Sequence, residues 1–255
     1  MAGTRSRGQL LAGGLLLLLA LAAYEPSGAA SASDGGGLAG FSFGVRGGVG
    51  FAQHVGIEER DSDYSVASSW RVGVTGGAFV YWPITDRLGL QQEVVYSQKG
   101  SSQRITVTIL EVPTELDVEY EVDYIELPTL LRYTSFRGDS FSLYSLFGAA
   151  MSLKTRGRYS LSGVLTDGDQ VIPLAADADL REVDLFDFSF VYGTGVEREV
   201  GGVLVGLEYR FAMSWNTLYM PTYAYVPFED EEMLIENEPV PLKNQSHSVT
   251  LGVRF

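Results

Sequence analysis

The sequence predicts an all-β protein: an eight-stranded antiparallel up-and-down transmembrane β-barrel. Three observations predict it. The chain ends on an alternating strand closed by an aromatic. In the stretch His247 to Phe255, the side chains of Val249, Leu251, Val253 and Phe255 point one way, and those of Ser248, Thr250, Gly252 and Arg254 the other. The apolar row suits lipid, and the row with Arg254 suits a polar interior. Seven more runs of two-residue periodicity follow Gly40, and the connections between the runs alternate short with long.

The first run covers about 41–53, with Phe41, Phe43, Val45, Val49 and Phe51 on one face and Arg46 among small residues on the other. The second, about 68–82, sets Trp70, Val72, Val74, Ala78, Val80 and Trp82 against Arg71, Thr75, Phe79 and Tyr81. The third covers about 87–99, the fourth 118–134 and the fifth 141–154. The sixth, about 183–199, carries Phe186, Phe188, Phe190 and Tyr192 in one row. The seventh covers about 203–213, and the eighth ends the chain. Pro83 to Asp86, Phe136 to Ser140 and Glu199 to Gly202 read as tight turns, with Pro or Gly where a hairpin wants them. Between them lie long segments, about 54–67, 100–117, 155–182 and 214–244, read as loops. Short turns at one end and long loops at the other are the pattern of an outer-membrane barrel.

Strand four changes phase. Val118, Tyr120, Val122 and Tyr124 form one apolar row; Ile125, Leu127, Leu131 and Tyr133 form the next. A bulge near Tyr124 would flip the faces, because one extra residue reverses them. The alternative is a strand that enters the membrane only at Ile125, with the part before it projecting outside. Pro128 cannot donate to a ladder and weakens the strand locally.

The N-terminus carries Arg5 and Arg7, the apolar run Leu10 to Ala23, then Ala30-Ser31-Ala32. That order predicts a signal peptide over 1–32, a leader over 33–40 and a barrel over 41–255. The apolar run is shorter than the ~20 residues a spanning helix needs. The chain has no Cys, which excludes disulfides and thiol chemistry. The net charge of −14 argues against nucleic acid and against a basic patch on anionic lipid. Much of the acid falls in the long segments, as a solvated surface or a cation-binding mouth.

If the apolar rows face lipid, Arg46, Arg71, Glu93, Glu126, Arg132, Glu197, Glu208, Arg210 and Arg254 face the interior. A basic side chain on the lipid side at midplane would cost roughly 2–4 kcal/mol. An eight-stranded barrel is only wide enough to be filled by side chains, so a salt-bridged plug is expected. A narrow ion path along the same charges is the competing reading. Trp70, Trp82, Tyr96, Tyr133, Phe141 and Phe255 fall near strand ends, as aromatic belts do. Periodicity alone also fits an inverted, soluble barrel. The secretory signal, the closing Phe255 and the alternation of connections favour the membrane. Phe255 is further expected to serve as the membrane-insertion signal.

The sequence offers few groups for catalysis or metal binding. The two histidines, His54 and His247, show no metal-ligand spacing. His54 with Ser246 or Ser248 is the candidate for hydrolytic chemistry, with no supporting motif. The glycines Gly44, Gly47, Gly48 and Gly50 sit in a strand and make no phosphate loop. No catalytic residue, cofactor or metal is expected.

Four segments resemble a known family. The stretches Phe43 to Gly50 and Gly73 to Val80 look like the first two strands of the outer membrane protein beta-barrel domain of the PorT-like porin family, common in Bacteroidetes. Leu90 to Gly100 and Tyr124 to Tyr133 resemble its more specific third- and fourth-strand motifs, the latter including Pro128. The resemblance implies an eight-stranded outer-membrane barrel and no defined activity. The expected protein is a non-enzymatic monomer of the cell outer membrane. Its expected partners are outer-membrane lipid, the barrel-assembly machinery during biogenesis and an envelope protein. A narrow channel, a secretion accessory and an envelope enzyme are the rival readings.

Overall fold

Among the described residues eleven strands form, each antiparallel to its neighbours. The computed structural model describes residues 40–255 apart from 57–63, 110–111, 168–169, 181–184 and 229–230. The predicted signal peptide lies outside the described residues, as does all but the last residue of the predicted leader. The strands are β1 (Ser42–Val55), β2 (Tyr64–Ser69), β3 (Arg71–Pro83), β4 (Leu88–Ile109), β5 (Val112–Arg137), β6 (Ser142–Asp167), β7 (Gln170–Asp179), β8 (Phe186–Val200), β9 (Val203–Ser214), β10 (Leu218–Phe228) and β11 (Glu231–Arg254). Eight of them close into a ring in the order β1, β3, β4, β5, β6, β8, β9, β11, because β11 pairs back onto β1. Closure reaches the last residue: Phe43 and Phe255 exchange both backbone hydrogen bonds.

All three predicted short turns form at one end of the ring. Gly201 and Gly202 join β8 to β9 with positive φ at both (61° and 85°), the two-residue turn that matches strand twist. Thr85 Oγ1 accepts from the N–H groups of Arg87 and Leu88 and fixes the β3–β4 turn. The N–H of Gly138 donates to the carbonyl of Phe141 between β5 and β6.

Much of the sequence expected as long loops is instead strand. β4, β5, β6 and β11 run on past the ring. There β2 pairs with β4, β7 with β6 and β10 with β11, in the places that β3, β8 and β9 hold below. The facing edges of β7 and β10 carry Pro173, Pro221 and Pro227, which cannot donate to a ladder. Among the described residues no ladder joins them.

The apolar row changes sides where the ring gives way to this extension. In the ring Val45, Val72, Val94, Leu131, Phe147, Phe190, Leu207 and Leu251 are exposed on the outside. In the extension Val118, Tyr120, Val122, Tyr124, Tyr159, Leu161, Leu174, Leu180, Leu218 and Leu242 are buried together on the inside. Two devices produce the switch. On β5 the even residues point inward from Thr114 to Thr134, and the chemistry of the row changes between Tyr124 and Glu126. On β6 the row itself flips. Asp123 pairs with Arg156 and Tyr124 with Lys154, so Thr155 is the extra residue of a bulge. The bulge therefore sits where the phase change predicts it, but on the partner strand. β5 follows the second expectation: the part before Ile125 projects beyond the lipid-facing wall.

Pro128 interrupts the ring as its chemistry requires. The β4–β5 pairing passes from Gln92–Thr129 directly to Val95–Glu126.

Candidate functional site

The interior of the ring is the candidate site, because it gathers ionised side chains from distant strands. At mid-height Arg46 of β1 reaches Glu93 of β4 and Glu208 of β9, the latter at 2.6 Å. Arg210 of β9 binds the same two carboxylates, Glu93 at 2.7 and 2.8 Å. Tyr144 donates to the second oxygen of Glu208 at 2.9 Å. Two cations and two anions thus form one closed set across the lumen. Their side chains are at most 8% exposed. In so low a dielectric such charges hold only when each is paired.

Space for this set comes from residues without side chains. The Phe79 ring lies over Gly44 and the Tyr144 ring over Gly195, where a Cβ would stand 2.1 and 2.4 Å from ring atoms. A cavity of about 50 Å³ lies on the extended side of the four charges and one of about 30 Å³ on the turn side. Arg46 borders both.

Toward the turn end, Glu197 takes both Arg132 and Arg254, the latter at 2.9 Å. Arg132 also stacks 3.6 Å from the centre of the Tyr144 ring, and Arg254 4.8 Å from that of Tyr81. Toward the extension, Lys99 pairs with Glu126. Beside them Asp187 accepts from Ser214 at 2.7 Å and Asn244 at 2.9 Å, and Asn244 also donates to Tyr124.

Eight of the nine charges expected inside therefore meet within the ring. Arg71 does not join them. It sits where β3 leaves the ring and binds Glu119 and Glu121 of the β5 extension, whose side chains are 46% and 34% exposed. Sequence reading missed Lys99 and Asp187. Both were within reach of the strand periodicity: Lys99 lies six residues after Glu93 and Asp187 ten before Glu197, each on the same inward row.

His54 is not brought to Ser246 or Ser248 by a hydrogen bond. It lies beyond Phe51, the last lipid-facing residue of β1, and its Nδ1 is 2.8 Å from Ser101 Oγ. Both residues are buried against the apolar core of the extension, with the His54 ring on Tyr120. Burial pushes the imidazole down to about 4, with the neighbouring Asn244 amide opposing. His247 faces outward, in a cluster with Trp70, Tyr209 and Phe211. Among the described residues no group of three His, Asp or Glu side chains is placed to hold a metal.

Over residues 29–218 the sequence matches the family model described as outer membrane protein beta-barrel domain. The chain belongs to that family. Its membership and its closed antiparallel ring make it an outer-membrane β-barrel protein. Among solved structures it is similar to the outer membrane protease OmpT from Escherichia coli, with 8% identity and a TM-score of 0.43, over 85% of this chain and 96% of that one. It is also similar to OprG from Pseudomonas aeruginosa, with 11% identity and a TM-score of 0.43 over the same shares. Neisserial surface protein A is a third, at 16% identity and a TM-score of 0.35, over 83% and 95%. Each is a likeness to a barrel and carries nothing about activity. No curated protein matches the chain.

Proposed function

We propose that this family member is a sealed, non-enzymatic and monomeric anchor that displays an ordered β-structure outside the cell. The observation that supports it is the closed set of Arg46, Glu93, Glu208 and Arg210, which bridges β1, β4 and β9 across the lumen. A pore would need that cross-section to be wet. The extension beyond it has its own apolar core, so the outer segments can present a defined surface for binding an envelope or external partner. Residues 1–32 act as the export signal, and the turn end with Phe255 faces the periplasm. Within the family, the segments Leu90 to Gly100 and Tyr124 to Tyr133 favour the PorT-like members.

Recording from purified protein in planar lipid bilayers tests the reading. The expected trace is a flat baseline with brief, irregular events. A steady, ion-selective conductance would overturn the sealed lumen and favour the narrow channel.

A further inference from the structure

We propose that the larger interior cavity, on the extended side of the four-charge set, binds one small anion of the halide class. Three observations converge on it.

The first is charge. The cavity is bordered by Arg46, Lys99 and Arg210, with Glu126 as its one carboxylate. Glu93 and Glu208, which neutralise the two arginines, are absent from its border, and Glu208 borders the cavity on the turn side. Among the described residues the named set inside the ring is neutral: Arg46, Lys99, Arg132, Arg210 and Arg254 balance Glu93, Glu126, Asp187, Glu197 and Glu208. The asymmetry is one of position: three paired cationic side chains and one carboxylate border the cavity, while Glu93 and Glu208 hold Arg46 and Arg210 from off its border.

The second is an unused donor. Ser97 borders the cavity, is 6% exposed, and among the described residues its hydroxyl has no hydrogen-bond partner. A buried hydroxyl left unpaired is unfavourable, and an anion beside it would supply the missing acceptor. Thr75, Ser246 and Ser248 add further hydroxyl side chains to the border.

The third is size. A water needs roughly 10–15 Å³ of such space, and the cavity offers about 50 Å³. A bare halide fits with a water beside it. A polyhydroxy carboxylate such as gluconate does not. A cation would meet the two guanidinium groups and the ammonium.

The test uses the folded protein in detergent micelles, at fixed ionic strength and fixed sodium concentration. Thermal unfolding is followed while gluconate is exchanged for chloride or bromide. The midpoint should rise with halide, by a constant increment per tenfold once the site fills. Ser97→Ala, which removes one hydroxyl and no charge, should weaken the apparent halide affinity severalfold while leaving the midpoint in gluconate near that of the parent. Crystals grown in bromide should show an anomalous peak between Ser97 and Lys99. Equal midpoints in halide and gluconate would overturn the proposal. So would a halide effect that Ser97→Ala leaves unchanged, since that is a surface salt effect, or a cavity holding water alone in the bromide crystal.

Discussion

Glu93 is the most constrained residue of the interior. It is fully buried, receives Arg46 and Arg210, and adds Gln91 on its own strand. Glu93→Gln would leave two guanidinium groups on Glu208 alone. Breaking one partner of a buried set costs about 3–5 kcal/mol, because the remaining charges stay desolvated. Urea unfolding in lipid vesicles should show a loss of that order. Replacing all four members by apolar residues of similar volume should recover most of it, since a buried ion set has little net advantage over good packing. Recovery of stability together with a new conductance would show that the charges serve closure rather than strength. At this scale the sequence was legible wherever a charge broke an apolar-polar alternation. Arg46 and Glu208 stand out in that way. Arg71 breaks the alternation equally well, but as the first residue of β3 it sends its side chain to Glu119 and Glu121 of the extension, and no pattern along one strand reveals where the ring ends.

The extension looks like loop in the sequence because its strands cross from lipid into water. A strand in lipid and a strand in water bury opposite faces, so one continuous strand carries an apolar row that changes sides at the boundary. On β5 that change reads as a phase error, and on β6 the bulge at Thr155 conceals it. Gly157, Gly163 and Pro173 add turn-like composition to segments that are paired throughout. The tight turns and the first strand, by contrast, were legible from local chemistry alone. The extension also contains a pH-sensitive member. His54 is buried beneath Tyr120 and Ser101, and its folded pKa lies at about 4 against 6.5 when free. Between those values the unfolded chain binds more protons than the folded one, so stability rises with pH. The contribution is complete above about 6.5 and lost as pH falls to about 4, roughly 3 kcal/mol in all. Thermal unfolding at pH 7, 5.5 and 4 should therefore show a falling midpoint, and His54→Gln should flatten that fall. An unchanged slope in the variant would assign the acid sensitivity to carboxylates.

For the whole molecule the decisive event is the joining of the first and last strands. β1 and β11 are registered over twelve pairs, from Gly44–Arg254 to Val55–Lys243. Phe255 adds the final two backbone bonds with Phe43, yet its own side chain is 68% exposed. An aromatic so placed adds little packing in the finished barrel. Removing it should cost the folded state only the two end bonds, about 1–3 kcal/mol. If its role is to be recognised before closure, the loss should appear in biogenesis instead. The chain truncated after Arg254 should refold into detergent nearly as well as the parent and should fail to accumulate as heat-modifiable barrel in cell envelopes. Comparing the two yields separates the roles. A deficit in envelopes alone makes Phe255 an insertion signal. Equal deficits in both make it a structural clasp, and the reading of the terminal aromatic as a signal is then wrong.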